Sequence, residues 1–397
     1  MGKKYPIGGW VYFSMSDENY TIKELDRWAQ SGCTVMLAGI VGGSEAETKK
    51  TLEFLDRAEE LGIGLILDCG CGYYYCDEDK AEQIEEQARK NYERFKGHPA
   101  LRGFHVGDEP GTQKLMENAI RAIGIQMKIA PELNPYLNMS GDTPWWDFCG
   151  TEGLKAYLKK LKEETGCREV CFDNYGQADG DGGVTGYFRT IKAFVDAAEE
   201  AGLEPWETPI CSAHGTYRPF TEYQYMWQIT TSAALGIRGI TWFRFYDRII
   251  APNYHSSPID EYGNTTLTFE RLGRCQKRFN DQFGELITSL KRKKSWLLGF
   301  QRMCYPMFGE NSHELIKEIV SFERMVISTF EDENGTEYLC LVNAEMEQAT
   351  SVQVRYDMEK CRLTGLILNG KIESRYRSGR SISLYPGQMA IYRIDKI

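Results

Sequence analysis

Short apolar runs alternate with longer amphipathic segments over the part of the chain that ends near Ser289. Each run is rich in β-branched and aromatic residues and ends in polar or glycine-rich residues, which are typical of loops. The runs predict eight β-strands, at Ile7–Phe13, Thr34–Gly39, Gly64–Asp68, Gly103–Val106, Tyr136–Met139, Glu169–Phe172, Pro209–Ser212 and Gly239–Phe243. The segments between them predict helices, for example at Thr21–Ser31, Glu45–Leu61 and Tyr187–Ala201.

This alternation predicts an α/β fold, and the number of strands favours a closed (β/α)8 TIM barrel. A barrel strand and its return helix use roughly 30 to 40 residues together, which is the spacing of these runs. An open doubly wound sheet has the same alternation, but no Gly-x-Gly-x-x-Gly follows the first run. The barrel is therefore the predicted architecture.

After Ser289 the pattern changes to β-rich runs alone, and glycine-containing turns separate them. This predicts a small all-β sandwich, so that residues 1–292 form the barrel and residues 293–397 the second domain. We interpret the basic run from Lys291 to Lys294 as a solvated linker surface. The predicted strands of the sandwich are Met325–Phe330, Tyr338–Val342, Ser351–Tyr356, Leu363–Leu368, Ser381–Tyr385 and Met389–Ile394.

Composition and charge limit the function. The net charge of -10 argues against a nucleic-acid partner or an anionic membrane surface. No apolar stretch predicts a signal peptide or a membrane span, so the expected location is cytoplasmic. The twelve cysteines have unrelated spacings, which favours reduced thiols. Cys69, Cys71 and Cys76 lack the paired Cys-x-x-Cys of zinc sites, and we predict neither a metal nor another cofactor.

The ends of the predicted strands are unusually polar and aromatic, and this is where a barrel carries its active site. Carboxyl groups can handle the protons and positive charge of glycosyl chemistry, and aromatic rings stack on sugar rings. We therefore expect a carbohydrate substrate, although a place in the core explains any single ring equally well. The predicted substrate-binding residues are Trp10, Tyr12, Asp68, Asp108, Asn138, Tyr175, His214, Tyr217, Arg218, Trp242, Arg244 and Asp247.

Glu109 is the strongest candidate catalytic residue. It follows the fourth run, lies next to Asp108, and precedes Pro110, which ends strand pairing. A dry barrel wall and an anionic neighbour would keep a carboxyl group protonated near neutral pH, as a general acid requires. The alternative is that Glu109 stabilises the start of the helix near Thr112.

Several segments resemble one enzyme family. Residues 103–110, Gly-Phe-His-Val-Gly-Asp-Glu-Pro, resemble the fourth strand of (β/α)8 glycoside hydrolases of the large clan that includes β-galactosidases, cellulases and agarases. Residues 172–175, Phe-Asp-Asn-Tyr, resemble a motif after the sixth strand of poorly characterised bacterial members. Residues 215–219, 239–243 and 384–392 are similar to later strands of the same proteins. The resemblance implies a glycosidase with Glu109 as acid/base.

The sequence departs from this family at one functional position. The clan's nucleophile is a Glu at the end of the seventh strand, whereas the stretch from Cys211 to Gly215 contains none. We therefore predict Asp173 as the nucleophile or as the base for water, with Asp68 and Asp247 as further candidates. A structural hydrogen-bonding role is the alternative for Asp173.

Other interpretations remain open. The protein could bind carbohydrate without cleaving it, or it could be a metal-dependent enzyme that uses Asp68, His105, Asp173 and His214. His214 either binds a sugar hydroxyl or makes its hydrogen bonds within its own loop. Arg244 either marks an acidic sugar such as a uronate or forms an ion pair.

Overall fold

The computed structural model describes residues 4–141, 150–176, 181–300 and 304–397. Eight parallel strands pair in chain order and close into a barrel, which confirms the predicted fold class. The strands are β1 (Ile7–Trp10), β2 (Val35–Ile40), β3 (Gly64–Asp68), β4 (Leu101–Asp108), β5 (Tyr136–Met139), β6 (Glu169–Asp173), β7 (Glu204–Thr208) and β8 (Gly239–Trp242).

Helices follow the strands of the barrel. Their termini carry local signals: the Ser44 side chain and Glu47 form a capping box at the start of the second helix, and Gly62 ends it with φ 69°. None of the helices in the described ranges is long and apolar enough to cross a membrane. The helices are α1 (Lys23–Ser31), α2 (Glu45–Leu61), α3 (Ala81–Phe95), α4 (Gln113–Ile129), α5 (Gly150–Thr165), α6 (Asp181–Ala201), α7 (Glu222–Ala234), α8 (Leu267–Phe279) and α9 (Glu285–Ser289).

The two faces of each barrel strand contact different surroundings. Alternate side chains point inward, where the Tyr136 hydroxyl lies 2.7 Å from the hydroxyl of Thr241 and 3.2 Å from that of Thr208. The intervening side chains pack against the helices. The position of a residue within its strand therefore decides whether its side chain can reach the barrel mouth. The apolar core inside the barrel comprises Trp10, Val35, Leu37, Ile66, Tyr136, Cys171 and Trp206.

The predicted position of the seventh strand was wrong. The structure places β7 at Glu204–Thr208, paired with β6, and residues 209–212 follow the strand. The strand contains the acidic residue Glu207, which interrupts the apolar pattern expected of a buried strand. Glu207 is nevertheless fully buried among the helices. There the Asn174 amide donates to Glu207 Oε1 at 2.7 Å, and the Ser232 hydroxyl donates to Oε2.

Two antiparallel sheets follow the barrel and enclose a second apolar core. One sheet has the order β10-β13-β16 and the other the order β15-β14-β17-β12-β11-β9. The strands are β9 (Lys291–Leu298), β10 (Ile316–Ser321), β11 (Met325–Glu331), β12 (Glu337–Asn343), β13 (Thr350–Tyr356), β14 (Cys361–Ile367), β15 (Ile372–Tyr376), β16 (Ser381–Leu384) and β17 (Met389–Lys396).

The basic run at the junction is solvent-exposed at Lys291, Lys293 and Lys294, as expected, but it belongs to a strand, so the prediction of a linker was wrong. Its residues begin β9, which pairs with β11. Arg292 turns back toward the barrel and forms ion pairs with Glu199, at 2.6 Å, and with Asp196, at 3.2 Å, on α6. The run therefore helps to attach the sheets to the barrel.

A second attachment joins α7 to the last turn of the sheets. The Trp227 indole N–H donates to the Ala344 carbonyl at 2.9 Å, and the Thr230 hydroxyl donates to the Gly387 carbonyl at 2.7 Å. Gly387 has φ 67°, and a Cβ atom there would lie well inside van der Waals contact with the backbone of Trp227. Only glycine therefore allows this close approach.

We expect Gly387→Ala to destabilise the protein by about 1–3 kcal/mol more than Gly335→Ala. Both glycines have a positive φ, so both variants carry the left-handed backbone penalty. A Cβ atom at Gly335, however, meets no neighbouring atom. Thermal unfolding measures the difference, and equal losses in the two variants would contradict the close packing at Trp227.

Candidate active site

Three carboxyl groups meet at the barrel mouth, and we call Asp108, Glu109 and Asp173 the carboxyl cluster. Asp108 ends β4 and Asp173 ends β6, while Asn138 lies between them on β5. The Asn138 amide nitrogen donates to Asp108 Oδ1 at 2.8 Å and to Asp173 Oδ1 at 2.9 Å. The Glu109 carboxyl also acts on Asp173 and raises its pKa. The structure thus brings together four of the predicted site residues.

Local packing positions the end of β4. A Cβ atom at residue 107 would collide with the ring of Tyr73, so Gly107 lets that ring pack against the strand. The Tyr73 hydroxyl donates to the Asp108 carbonyl. Glu109 has φ 48°, which is unfavourable for a residue with a side chain, and its N–H donates to the Asn138 carbonyl at 2.9 Å. Strain of this kind is often found at functional sites.

Burial controls the protonation of the cluster. Burial raises the pKa of Asp173 well above its usual range, and the charge of Asp108 raises it further, against the hydrogen bond from Asn138. Burial, together with the charge of Glu109, also raises the pKa of Asp108. Ionising all three neighbouring carboxyl groups would cost free energy through the repulsion between their charges, so the cluster retains a proton near neutral pH.

Aromatic rings line the mouth next to the cluster, and we call them the aromatic wall. Burial and the charge of Asp173 raise the pKa of Tyr175, so its hydroxyl remains protonated. Tyr175 lies 5.3 Å from Tyr217 and 6.4 Å from Phe243 between ring centroids. Flat rings beside carboxyl groups can stack on the apolar faces of sugars. The wall consists of Trp10, Tyr12, Tyr175, Tyr217, Phe243 and Tyr254.

Arg244 and His214 border the same wall. The guanidinium carbon of Arg244 lies 4.2 Å from the Tyr254 ring centroid, and the His214 ring lies 4.1 Å from the same ring. Burial and the charge of Arg244 lower the pKa of His214. His214 is therefore neutral near pH 7 and can act as a hydrogen-bonding group.

Asp68 lies apart from the cluster and interacts with His105. The His105 Nδ1 and Asp68 Oδ2 atoms are 3.7 Å apart, and His105 also makes an edge-to-face contact with Trp10 at 5.3 Å. Burial alone would raise the pKa of Asp68, but the neighbouring His105 imidazole lowers it. Asp68 is therefore a carboxylate whose position the imidazole helps to hold.

The residues of the metal hypothesis do not form a site. Across the described ranges, no group of three or more His, Cys, Asp and Glu side chains is arranged to hold a metal ion. Cys69, Cys71 and Cys76 are buried free thiols, and burial raises the pKa of each. Raised pKa values make thiols poor metal ligands.

Other predicted site residues do not reach the cluster. Trp242 points outward from β8, and its indole N–H donates to Gln276 on α8 at 3.2 Å. Asp247 accepts hydrogen bonds from the side chain and backbone of Ser257. Arg218 is exposed on the loop after β7. The position of Trp242 therefore gives no support to a role in substrate binding.

The seventh strand does contain a Glu, which the sequence analysis missed. Glu207 faces the helices, while the inward-facing residue at the end of β7 is Thr208. The sequence analysis also missed Phe243 and Tyr254 in the aromatic wall. Phe243 follows Thr241 by two positions and therefore shares its inward direction, which the strand pattern could have shown. Tyr254 lies in an irregular loop that has no such signal.

Comparison with known proteins identifies the fold class. No protein-family model matches the chain, and no curated protein matches it. The solved structures that resemble it include glycoside hydrolases, so the chain has the fold of a glycoside-hydrolase barrel. At sequence identities near 10%, this likeness concerns the fold alone.

Three of these structures illustrate the likeness. One described as a glycoside hydrolase has a TM-score of 0.57 and 11% identity, covering 98% of this chain and 92% of its own. The β-galactosidase from Rahnella sp. R3 has a TM-score of 0.56 and 10% identity, covering 73% of this chain. That from the psychrophilic Marinomonas ef1 has a TM-score of 0.51 and 9% identity, covering 69%. The chain spans only 58% and 59% of these two β-galactosidases.

The burial of Glu207 predicts a pH dependence of stability. Burial raises its pKa to about 8, from an ordinary value of 4.5. Between these values the folded state binds the proton and the unfolded state does not. The contribution of Glu207 to the free energy of unfolding is therefore fully present below pH 4.5 and is lost as pH rises toward 8. The slope from this one group is at most about 1.4 kcal/mol per pH unit.

Glu207→Gln removes this titration but keeps an acceptor for Asn174 and a hydrogen-bonding group for Ser232. We therefore expect the melting temperature of the wild type to fall, relative to that of Glu207→Gln, as pH rises over this interval. The exposed Glu333 provides the control, and Glu333→Gln should run parallel to the wild type. Parallel curves for Glu207→Gln as well would contradict the assignment.

Proposed function

We propose that the protein is a glycoside hydrolase that cleaves a glycosidic bond by carboxylate acid/base catalysis. The observation that carries this proposal is the carboxyl cluster, which holds a proton at the mouth of the barrel beside an aromatic wall. The shared fold with glycoside hydrolases supports it. Carbohydrate is the proposed substrate class.

Glu109 is the proposed acid/base, and Asp173 is the proposed base for water. Glu109 is exposed, so it is the member of the cluster that faces an incoming glycosidic oxygen. Before substrate binds, the proton of the pair lies mainly on Asp173. When substrate parts the two groups, the proton passes to Glu109 and leaves Asp173 ionised. As the bond between the anomeric carbon and the glycosidic oxygen breaks, that oxygen takes the proton from Glu109. Water then adds to the anomeric carbon and gives its proton to Asp173, which restores the starting state.

The interaction of the pair favours this division of roles. Glu109 acts directly on the pKa of Asp173, so the two carboxyl groups lie near each other, whereas in a glycosidase the scissile bond lies between the two carboxyl groups. Substrate therefore has to part the two groups. Asp173 is buried and accepts a hydrogen bond from Asn138, whereas the Glu109 side chain is exposed and has room to move away. The fixed group suits the base, and the movable group suits the acid.

A second candidate function is carbohydrate binding without cleavage. The inward position at the end of β7 is Thr208, so no carboxylate stands where the resembling clan has its nucleophile. In that case a sugar would bind saturably at the aromatic wall and no product would form. Product release that depends on Glu109 would exclude this candidate.

Substitution of the pair tests the proposal. With an aryl glycoside that the wild type hydrolyses, we expect Glu109→Gln and Asp173→Asn each to lower kcat by about 10²–10⁴-fold, because each removes a proton-transfer group. The matched control is Glu117→Gln, which changes an exposed acid on the helix after β4 and should leave kcat unchanged. Circular dichroism verifies folding. Unchanged turnover in Glu109→Gln would refute the assigned role.

The charge of Asp108 predicts a shift of the pH profile. This charge helps to raise the pKa of Asp173, so Asp108→Asn should lower that pKa. The cluster would then lose its proton at lower pH, and the basic limb of kcat/KM should move to lower pH by about one unit, with activity retained at acidic pH. A basic limb that stays in place or moves upward would show that Asp108 does not control this proton.

A further inference from the structure

Arg244 is a buried cation beside the carboxyl cluster, and part of its hydrogen-bonding capacity is unused. Only 4% of its surface is exposed. Its Nε and Nη2 groups are buried, and no partner for either is found in the described ranges. Asp247, whose charge acts most strongly on Arg244, directs its carboxylate to Ser257 instead.

An unpaired buried cation is costly, because a buried donor without an acceptor loses its hydrogen bonds to water, and the loss is larger for a charged donor. The contact with Tyr254 does not remove this cost. The ring lies 4.2 Å from the guanidinium carbon in a cation–π contact, which engages the flat face of the group. The edge that carries Nε and Nη2 is buried and has no acceptor among the described residues.

The chemistry of this edge indicates a carboxylate. In a guanidinium group the N–H bonds of Nε and Nη2 run parallel, and they match the two oxygens of a carboxylate. A neutral sugar hydroxyl would satisfy one donor and leave the charge unpaired. A carboxylate satisfies both donors and neutralises the charge.

The location of Arg244 suits a ligand that also reaches the carboxyl cluster. Burial raises the pKa of the Tyr12 hydroxyl, the charges of Asp108 and Asp173 raise it further, and the charge of Arg244 lowers it. The cation and the acids therefore act on the same hydroxyl group. An anionic group on a ligand would be repelled by the cluster and attracted to Arg244, which would orient the ligand across the mouth.

We propose that Arg244 is a specificity-determining residue that binds a carboxylate on the ligand, so that the substrate class is acidic sugars such as uronic acids. The role of the acidic sugar as a substrate rests on the proposed glycosidase function, whereas its binding to Arg244 does not. Because the two N–H groups are buried, binding requires side chains around Arg244, such as the half-buried Tyr254 ring, to move.

Calorimetric titration of the full chain tests this without requiring turnover. The probes are D-glucuronate and D-galacturonate, each paired with its neutral counterpart, D-glucose or D-galactose. We expect at least one uronate to bind about tenfold or more tightly than its counterpart. Arg244→Met should abolish that preference and leave the affinity for the neutral sugar within about twofold. Arg244→Lys should retain only part of it, because it keeps the charge without the parallel donors.

Arg248→Met is the matched control, because Arg248 lies in the same loop and contacts the ring of Tyr12 at 5.7 Å. It should retain the preference. The melting temperature of Arg244→Met gives a second readout. It should not fall below that of the wild type, because the variant removes an unpaired buried charge. A purely structural arginine would instead lower the melting temperature and leave the preference intact.

Three results would overturn the proposal: equal binding of uronates and neutral sugars, a preference that survives Arg244→Met, or tighter binding of a 6-sulfated sugar than of the uronate. Failure of the glycosidase proposal looks different. In that case the uronate preference depends on Arg244, but no glycoside of either class is hydrolysed.

Discussion

The amide of Asn138 is the interaction on which the candidate site depends. It donates to the half-buried Asp108 and the buried Asp173, which end different strands, at 2.8 and 2.9 Å. Without these bonds and a retained proton, the repulsion between Asp108 and Asp173 would act on the ends of β4 and β6. The hydrogen bond from the Glu109 backbone to the Asn138 carbonyl attaches the third carboxyl to the same residue. The site is thus organised around one side chain on β5.

Strand geometry decides which residues can join this arrangement. Side chains alternate between the inside of the barrel and the helices, so adjacent residues at a strand end point in opposite directions. Thr208 faces inward while its neighbour Glu207 is buried against α7, and Phe243 joins the aromatic wall while Trp242 contacts α8. The absence of a carboxylate from the mouth at β7 follows from this alternation rather than from the lack of a Glu in the strand.

The barrel could be predicted from the sequence because its apolar runs are short, regularly spaced and followed by well-capped helices. The position of β7 could not, since a charged residue within that strand is satisfied by partners distant in sequence. The strands β9, β10 and β15 were missed for a related reason, because their polar and charged residues hide the β pattern. At the site, the carboxyl groups and most of the rings follow predicted strands. Tyr254 and the unpaired edge of Arg244 depend on loop packing, which residue spacing does not encode.

The central claim is that the carboxyl cluster holds a proton near neutral pH and that burial places it mainly on Asp173. Carbon-13 NMR of protein labelled at its aspartate carboxyl groups tests this directly, with Asp173→Asn to assign the signal. The account predicts that the Asp173 signal keeps the chemical shift of a protonated carboxyl at pH 7 and titrates only at higher pH. A signal that titrates in the ordinary acidic range of an aspartate would contradict it.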